Sequence, residues 1–210
     1  MGAMEDSQRK GALLGVFAKV GSANVGAGAT KKSTDSRIYY FAEEDGSGGA
    51  LIRPLNDNCL PFGDPQAIAV DELLRDYQPE PEYYFDHVRP ALAAVDEAAG
   101  RGDELREQGR LYSAEHEYGR ALELDEEHVR ATYGLGFVYL DRGETENARK
   151  LFARLYDLDT AFAPEHKHLF NDFGIRLRKS GLLEEALKYY TKALELEAED
   201  DHILHNMARV

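Results

Sequence analysis

The sequence predicts a mainly α-helical protein, a solenoid of antiparallel helix pairs preceded by a small amino-terminal segment that contains a β-hairpin. Three observations carry this. Glycines, alanines and aromatic residues recur in the same order at spacings of 34, 38 and 34 residues through the second half of the chain. Before Pro81 the chain reads as short apolar runs between glycine-rich loops; after it, apolar residues fall at helical periods between short polar breaks. Hydrophobic residues make up 43% of the 210 and charged residues 30%, which is ordinary for a folded chain and too apolar for a disordered one.

Residues 1–78 are expected to form the small segment. Arg9-Lys10 before the apolar run Gly11 to Ala18 is faintly like a secretory signal. Lys19 interrupts that run and Glu5 and Asp6 precede it, so a cytoplasmic protein is expected. Gly21 to Lys32 is rich in small residues, has neither period, and is expected to be irregular. Arg37 to Glu43 is dense in β-favouring residues, Asp45 to Gly49 is a glycine-rich loop, and Ala50 to Leu55 is apolar again. Together they predict a hairpin over about 37–55, with Pro54 at an edge or an end of its strand. A short strand over Ala67 to Val70 then leads to Asp71, the expected N-cap of a helix over about 71–77. Pro79-Glu80-Pro81 marks the expected boundary, with helical repeats filling 82–210.

The repeats explain themselves physically. Gly102 and Gly136 are 34 residues apart, as are Gly109 and Gly143, Ala114 and Ala148, and Tyr118 and Phe152. Gly174, Gly181, Ala186 and Tyr190 follow 38 residues later in the same order, and Ala208 stands 34 beyond Gly174. The units run over 95–128, 129–162 and 167–200, with a partial fourth over 201–210 and a longer turn around Ala163 to His166. In each, a small residue lets a neighbouring helix approach, a second glycine ends the first helix, and an alanine and an aromatic pack the second. One pair cannot bury this surface alone, so the units must stack. Asp201 to Val210 is expected to begin another first helix, with Leu204, Met207 and Ala208 packing on the third repeat. It stops about a turn short of a full helix, as a piece of a longer array would.

This pattern resembles the tetratricopeptide repeat. Phe170, Phe173, Gly174, Leu177, Gly181, Ala186, Tyr190 and Ala193 of the third unit fall where that family places large, large, small, large, turn, small, aromatic and small residues. Leu135, Gly136, Tyr139, Ala148 and Phe152 match in the second, where Leu155 replaces the closing small residue. Ala114, Tyr118 and Ala121 match in the first, where Arg101 stands at an apolar position. The resemblance implies a right-handed superhelix whose first helices line a concave groove for a protein or peptide partner. It places Arg130, Tyr133, Phe137, Leu140 and Asp141 on the inner stripe of the second unit, and His168, Asn171, Ile175, Arg178 and Lys179 on that of the third. Asp96, Ala99, Asp103, Arg106 and Glu107 form the first stripe, so the groove should be acidic at one end, aromatic in the middle and basic at the other. Tyr133, Phe137 and Leu140 are expected to be accessible anchors. Some tetratricopeptide co-chaperones clamp a terminal carboxylate with Lys, Asn and Arg; Ala99, Asp103, Tyr133 and Phe137 occupy much of that surface here, which argues against such a clamp.

Other chemistries are poorly supported. The formal charge of −14 disfavours nucleic acid. No apolar run is long enough to insert in a membrane. Cys59 is the only cysteine, which rules out an internal disulfide and a thiolate metal site. Gly26 to Ser33 resembles a phosphate loop only faintly, because Thr30 stands where a glycine must precede Lys31. His168, His202 and His205 are expected to be solvated, and Glu184-Glu185 and Glu195 to Asp201 read as solvated helix faces. The sequence therefore predicts an adaptor or scaffold with no catalytic residue, cofactor or metal. A structural subunit that assembles with copies of itself is the alternative.

Overall fold

The computed structural model describes residues 13–25, 32–158, 161, 166–196 and 201–210. Residues 11–12, most of the phosphate-loop-like stretch and the expected turn at 163–165 lie outside these. The chain divides into two compact units between Ala93 and Ala94.

The first unit is an antiparallel sheet of β1 (Leu13–Val25), β2 (Lys32–Glu44), β3 (Ala50–Pro54), β4 (Gln66–Ile68) and β5 (Gln78–Pro79), in the order β4-β3-β2-β1-β5. Directly paired residues share a face. Val16 lies opposite Phe41 and Phe17 opposite Tyr40, so both faces of the central strands are apolar. One face packs Phe17, Ala42, Ala50 and Ile52 beneath Leu73 of α1 (Val70–Asp76). The other packs Val16 and Phe41 against Val88 and Leu92. These come from a continuous helical run made of α2 (Pro81–Tyr83), a π-helical stretch (Tyr84–Val88) and the start of α3 (Arg89–Glu107). Burial on two sides explains why the runs around Phe17 and Phe41 are unbroken rather than alternating.

Several expectations for this part need correction. Leu13 to Ala18, within the apolar run that only faintly resembles a signal, begin β1. Residues 21–25, expected to be irregular, continue β1 in register with β2, with Gly21 opposite Ser36 and Val25 opposite Lys32. Main-chain pairing holds this end of the ribbon, and it leaves no side-chain period to read. The expected hairpin is present, β2 and β3 pairing antiparallel from Tyr40 opposite Pro54 to Glu44 opposite Ala50, within a larger sheet. Asp71 does not cap α1: Ala69 is at the N-cap without a side-chain bond, and Asp71 sits in the first turn. The expected boundary at Pro79–Pro81 is not where the units divide. Pro79 closes the sheet edge by pairing with Phe17, and Val88 and Leu92 still belong to the sheet's core.

In the second unit every described element is helical. The remainder of α3 is followed by α4 (Leu111–Leu124), α5 (Val129–Asp141), α6 (Thr145–Asp157), α7 (Lys167–Lys179), α8 (Leu183–Leu196) and α9 (Asp201–Met207). Gly109, Gly143 and Gly181 follow α3, α5 and α7 with φ of +73°, +74° and +78°, the left-handed geometry that ends a helix and suits glycine. Ala114, Tyr118 and Ala121 bury one face of α4, and Ala148, Phe152 and Leu155 one face of α6. A Cβ on Gly102 would lie 2.5 Å from Tyr118, and one on Gly174 2.5 Å from Tyr190. The aromatic is thus seated on the glycine of its own pair in the first and third pairs. In the second pair Gly136 faces Phe173 of α7 instead.

Candidate protein-binding site

Helix α5 decides what the inner stripe can do. Val129, Ala131 to Val138 and Leu140 are all buried, so the helix is enclosed almost all round, as the middle helix of a stack should be. Tyr133 is 0% exposed, Phe137 4% and Leu140 7%. The expectation that they form an accessible aromatic stripe is therefore corrected: they belong to the core that α5 shares with α6, α7 and α8.

The geometry gives the reason. The Tyr133 hydroxyl donates to the Ala161 carbonyl oxygen at 3.1 Å and shares a close hydrogen bond with the Tyr189 hydroxyl. The Tyr133 ring meets Phe173 and Tyr189 edge-on, with centroids 5.6 and 6.2 Å away. Burial drives the Tyr133 and Tyr189 phenols well above their ordinary pKa. Phe137 lies between two guanidinium groups, Arg106 at 5.1 Å and Arg176 at 4.9 Å from its ring centroid. Arg176 also pairs with Asp141. Arg130, at the acidic end, is exposed but engaged: its Nε and Nη2 reach Asp103 Oδ2 at 2.7 and 2.6 Å.

The other stripe residues lie on α7. His168 and Lys179 are exposed, and Ile175 and Arg178 are half-buried. Asn171 Oδ1 accepts a 3.0 Å hydrogen bond from Asn206 Nδ2 of α9. A depression of ≈ 460 Å³ opens between α7 and the end of α5, lined by Leu140, Asp141, Asp172, Ile175, Arg176 and Lys179, with Ser180 at its end. It brings together Leu140, Ile175 and Lys179 of the expected stripe. Arg130, Tyr133, Phe137, His168, Asn171 and Arg178 do not line it. Asp172 and Arg176 were missed by the sequence reading, although they sit four residues apart beside Ile175, where two residues share a helix face.

The depression sets charges of both signs around Leu140 and Ile175. Among the described residues, no group of three or more His, Cys, Asp or Glu is arranged to hold a metal ion, and no helix is long and apolar enough to cross a membrane. Cys59 has its Sγ 3.5 Å from the Tyr83 hydroxyl, a partner that brings no positive charge to activate a thiol.

Comparison with known families finds the same repeats. Residues 99–161 match one tetratricopeptide-repeat family model and residues 177–200 another. No curated protein matches the chain. Among solved structures, the second TPR domain of human RPAP3, in complex with an HSP70 peptide, is similar at 19% identity and a TM-score of 0.46, covering 57% of this chain and 96% of that one. The TPR domain of Arabidopsis OM64 is similar at 14% identity and a TM-score of 0.46, covering 57% and 95%. Pseudomonas aeruginosa pilF is similar at 19% identity and a TM-score of 0.29, covering 57% and 68%.

Proposed function

Starting from a protein that carries tetratricopeptide repeats, we propose that it is an adaptor or scaffold whose repeats hold a partner protein or peptide, with no reaction of its own. The depression between α5 and α7 carries the reading. It is the stretch of the inner stripe where apolar Ile175 remains half-buried among the charged groups of Asp172, Arg176 and Lys179. Tyr133 and Phe137, enclosed in the core, are withdrawn from the binding surface.

Affinity capture from the native lysate tests this, comparing the wild-type chain with Ile175→Arg and with Tyr112→Ala, a change at an exposed residue of α4. A partner held by wild type and Tyr112→Ala but lost by Ile175→Arg is the expected result. A partner set unchanged by Ile175→Arg would remove the depression from the interface. Self-assembly has its own observation, because Leu183 and Leu187 of α8 and Leu204 of α9 are exposed. Sedimentation mass that rises with concentration, and falls back in Leu183→Ser with Leu187→Ser, would favour that reading.

A further inference from the structure

We propose that the third repeat receives a carboxylate of the bound partner beside Ile175, between the Tyr190 hydroxyl and the Arg178 guanidinium. The proposal rests on the binding-face reading above and names the chemistry of its ligand.

The first repeat shows such a place filled from within. There the Tyr118 hydroxyl donates to Asp103 Oδ1 at 2.5 Å, while Asp103 Oδ2 accepts from Arg130 Nε at 2.7 Å. Arg106 follows Asp103 by three residues, Tyr118 by fifteen and Arg130 by twenty-seven. In the third repeat the residue with those same offsets to Arg178, Tyr190 and His202 is Ile175. The phenol and the arginine are kept, and the carboxylate between them is gone.

The consequence is visible at the phenol. Tyr190 is 1% exposed, and its buried hydroxyl has no acceptor for its proton, whereas that of Tyr118 donates to Asp103. Buried hydroxyls are almost always paired, so an orphan needs an explanation. Arg178 Nε is buried and unpartnered too. Arg106 Nε shares that condition in the first repeat, so the phenol marks the difference between the two. Burial pushes the phenol's pKa up to about 12, and the neighbouring Arg178 guanidinium, as a positive charge and a hydrogen-bond donor, opposes that rise. It supplies positive charge and no acceptor. A carboxylate is what both groups lack. The last turn of α7 carries Arg176, Arg178 and Lys179, so an acid meets a basic spot on a chain of net charge −14. Ile175 and Lys179 also line the depression, so a ligand lying there would sit against Ile175, the residue that stands where Asp103 does in the first repeat.

Two measurements test the proposal on the full chain. In the first, the Arg178 Nε–H resonance is followed by NMR during titration with N-acetyl-glutamate N-methylamide, with N-acetyl-alanine and with N-acetyl-glutamine N-methylamide. The expected result is a saturating shift with a carboxylate and none with the glutamine amide. The stronger of the two acids tells a side-chain carboxylate from a terminal one. Tyr190→Phe should weaken the response about tenfold, the scale of one hydrogen bond to a charged group, and Ile175→Asp should abolish it by filling the place from within. In the second, the effect of Ile175→Asp on thermal unfolding is compared in the wild-type and Tyr190→Phe backgrounds; it should be more favourable where the hydroxyl is present. An equal response to the glutamine amide, no response to either acid, or identical effects of Ile175→Asp in the two backgrounds would each overturn the proposal. Capture of a partner that Ile175→Arg abolishes and Tyr190→Phe leaves untouched would keep the binding face and dismiss the acid site. Binding of glutamate without any partner loss in Ile175→Arg would do the reverse.

Discussion

Tyr133 illustrates how one side chain can look like an anchor in sequence and be core in space. It sits at the inner-stripe spacing, yet its ring is wrapped by Phe173 and Tyr189 and its hydroxyl is bonded to Ala161 and Tyr189. Tyr133→Ala should therefore cost about 3–5 kcal/mol in urea unfolding, the range for truncating a buried aromatic. A cost below about 1 kcal/mol, as at an exposed site, would return Tyr133 to the surface. His128 offers a second test at this scale. Its Nδ1 accepts the Ala131 N–H at 3.2 Å, capping α5, and only an unprotonated nitrogen can do so. Burial is the main cause lowering its pKa, with Arg130 adding to it and Asp125 and Asp96 opposing. The unfolded chain thus takes up this proton first as pH falls. Stability from this group is complete above the unfolded value of about 6.5 and is lost below it, down through the folded value. Urea unfolding at about pH 7.5 and pH 5 should show a loss in wild type that shrinks in His128→Asn, because an asparagine cap does not titrate. Equal losses would remove His128 from the acid response.

At the scale of the element, identical residue types carry opposite expectations. Gly174 in α7 has no room for a methyl, since a Cβ would lie 2.5 Å from the Tyr190 ring. Gly119 in α4 has nothing within 4 Å of its Cβ position. Gly119→Ala should stabilise the protein by about 0.5–1 kcal/mol through helix propensity alone. Gly174→Ala should destabilise it by about 1–3 kcal/mol through overpacking. Chemical unfolding of the two variants settles the pair, and a stabilised Gly174→Ala would mean that the helices can part freely there. These contrasts also show which elements were legible in the sequence. The helices announce themselves because Gly102, Gly174 and their aromatic partners repeat a packing contact at a fixed spacing. The distal half of β1 does not, because residues 21–25 are held by main-chain pairing that leaves no mark on side-chain choice. The enclosure of α5 was hidden for another reason: spacing places Tyr133 and Phe137 on one face, but whether a neighbour covers that face depends on how α7 and α8 stack. The depression was half legible, with Ile175 and Lys179 named and Asp172 and Arg176 overlooked.

For the whole molecule, the decisive feature is that each unit buries its own core. Among the described residues, the clusters around Phe17 and around Val16 draw on residues up to Leu92. The large cluster of the second unit begins at Val129 and ends at Val210. Ahead of it, Ala98 and Ala99 of α3 and Ala114 and Tyr118 of α4 are buried, Tyr118 against Gly102 of α3 and Gly134 of α5. Ion pairs bind neighbouring repeats as well: Arg142 reaches back to Glu115, and Arg149 Nε reaches forward to Glu185 Oε1 at 2.5 Å. Repeat arrays draw their stability from such neighbour contacts, so an array should stand without an unrelated domain ahead of it. A fragment over 89–210 keeps α3 whole, including Pro90 near its start where the missing N–H costs nothing. It should give a wholly helical circular dichroism spectrum and a single cooperative thermal transition. Its melting temperature should respond to Gly174→Ala and Gly119→Ala in the same directions as the full chain. A fragment that is helical yet melts without cooperativity would show that the array borrows its packing from the first 88 residues, and the two-core account would then fail.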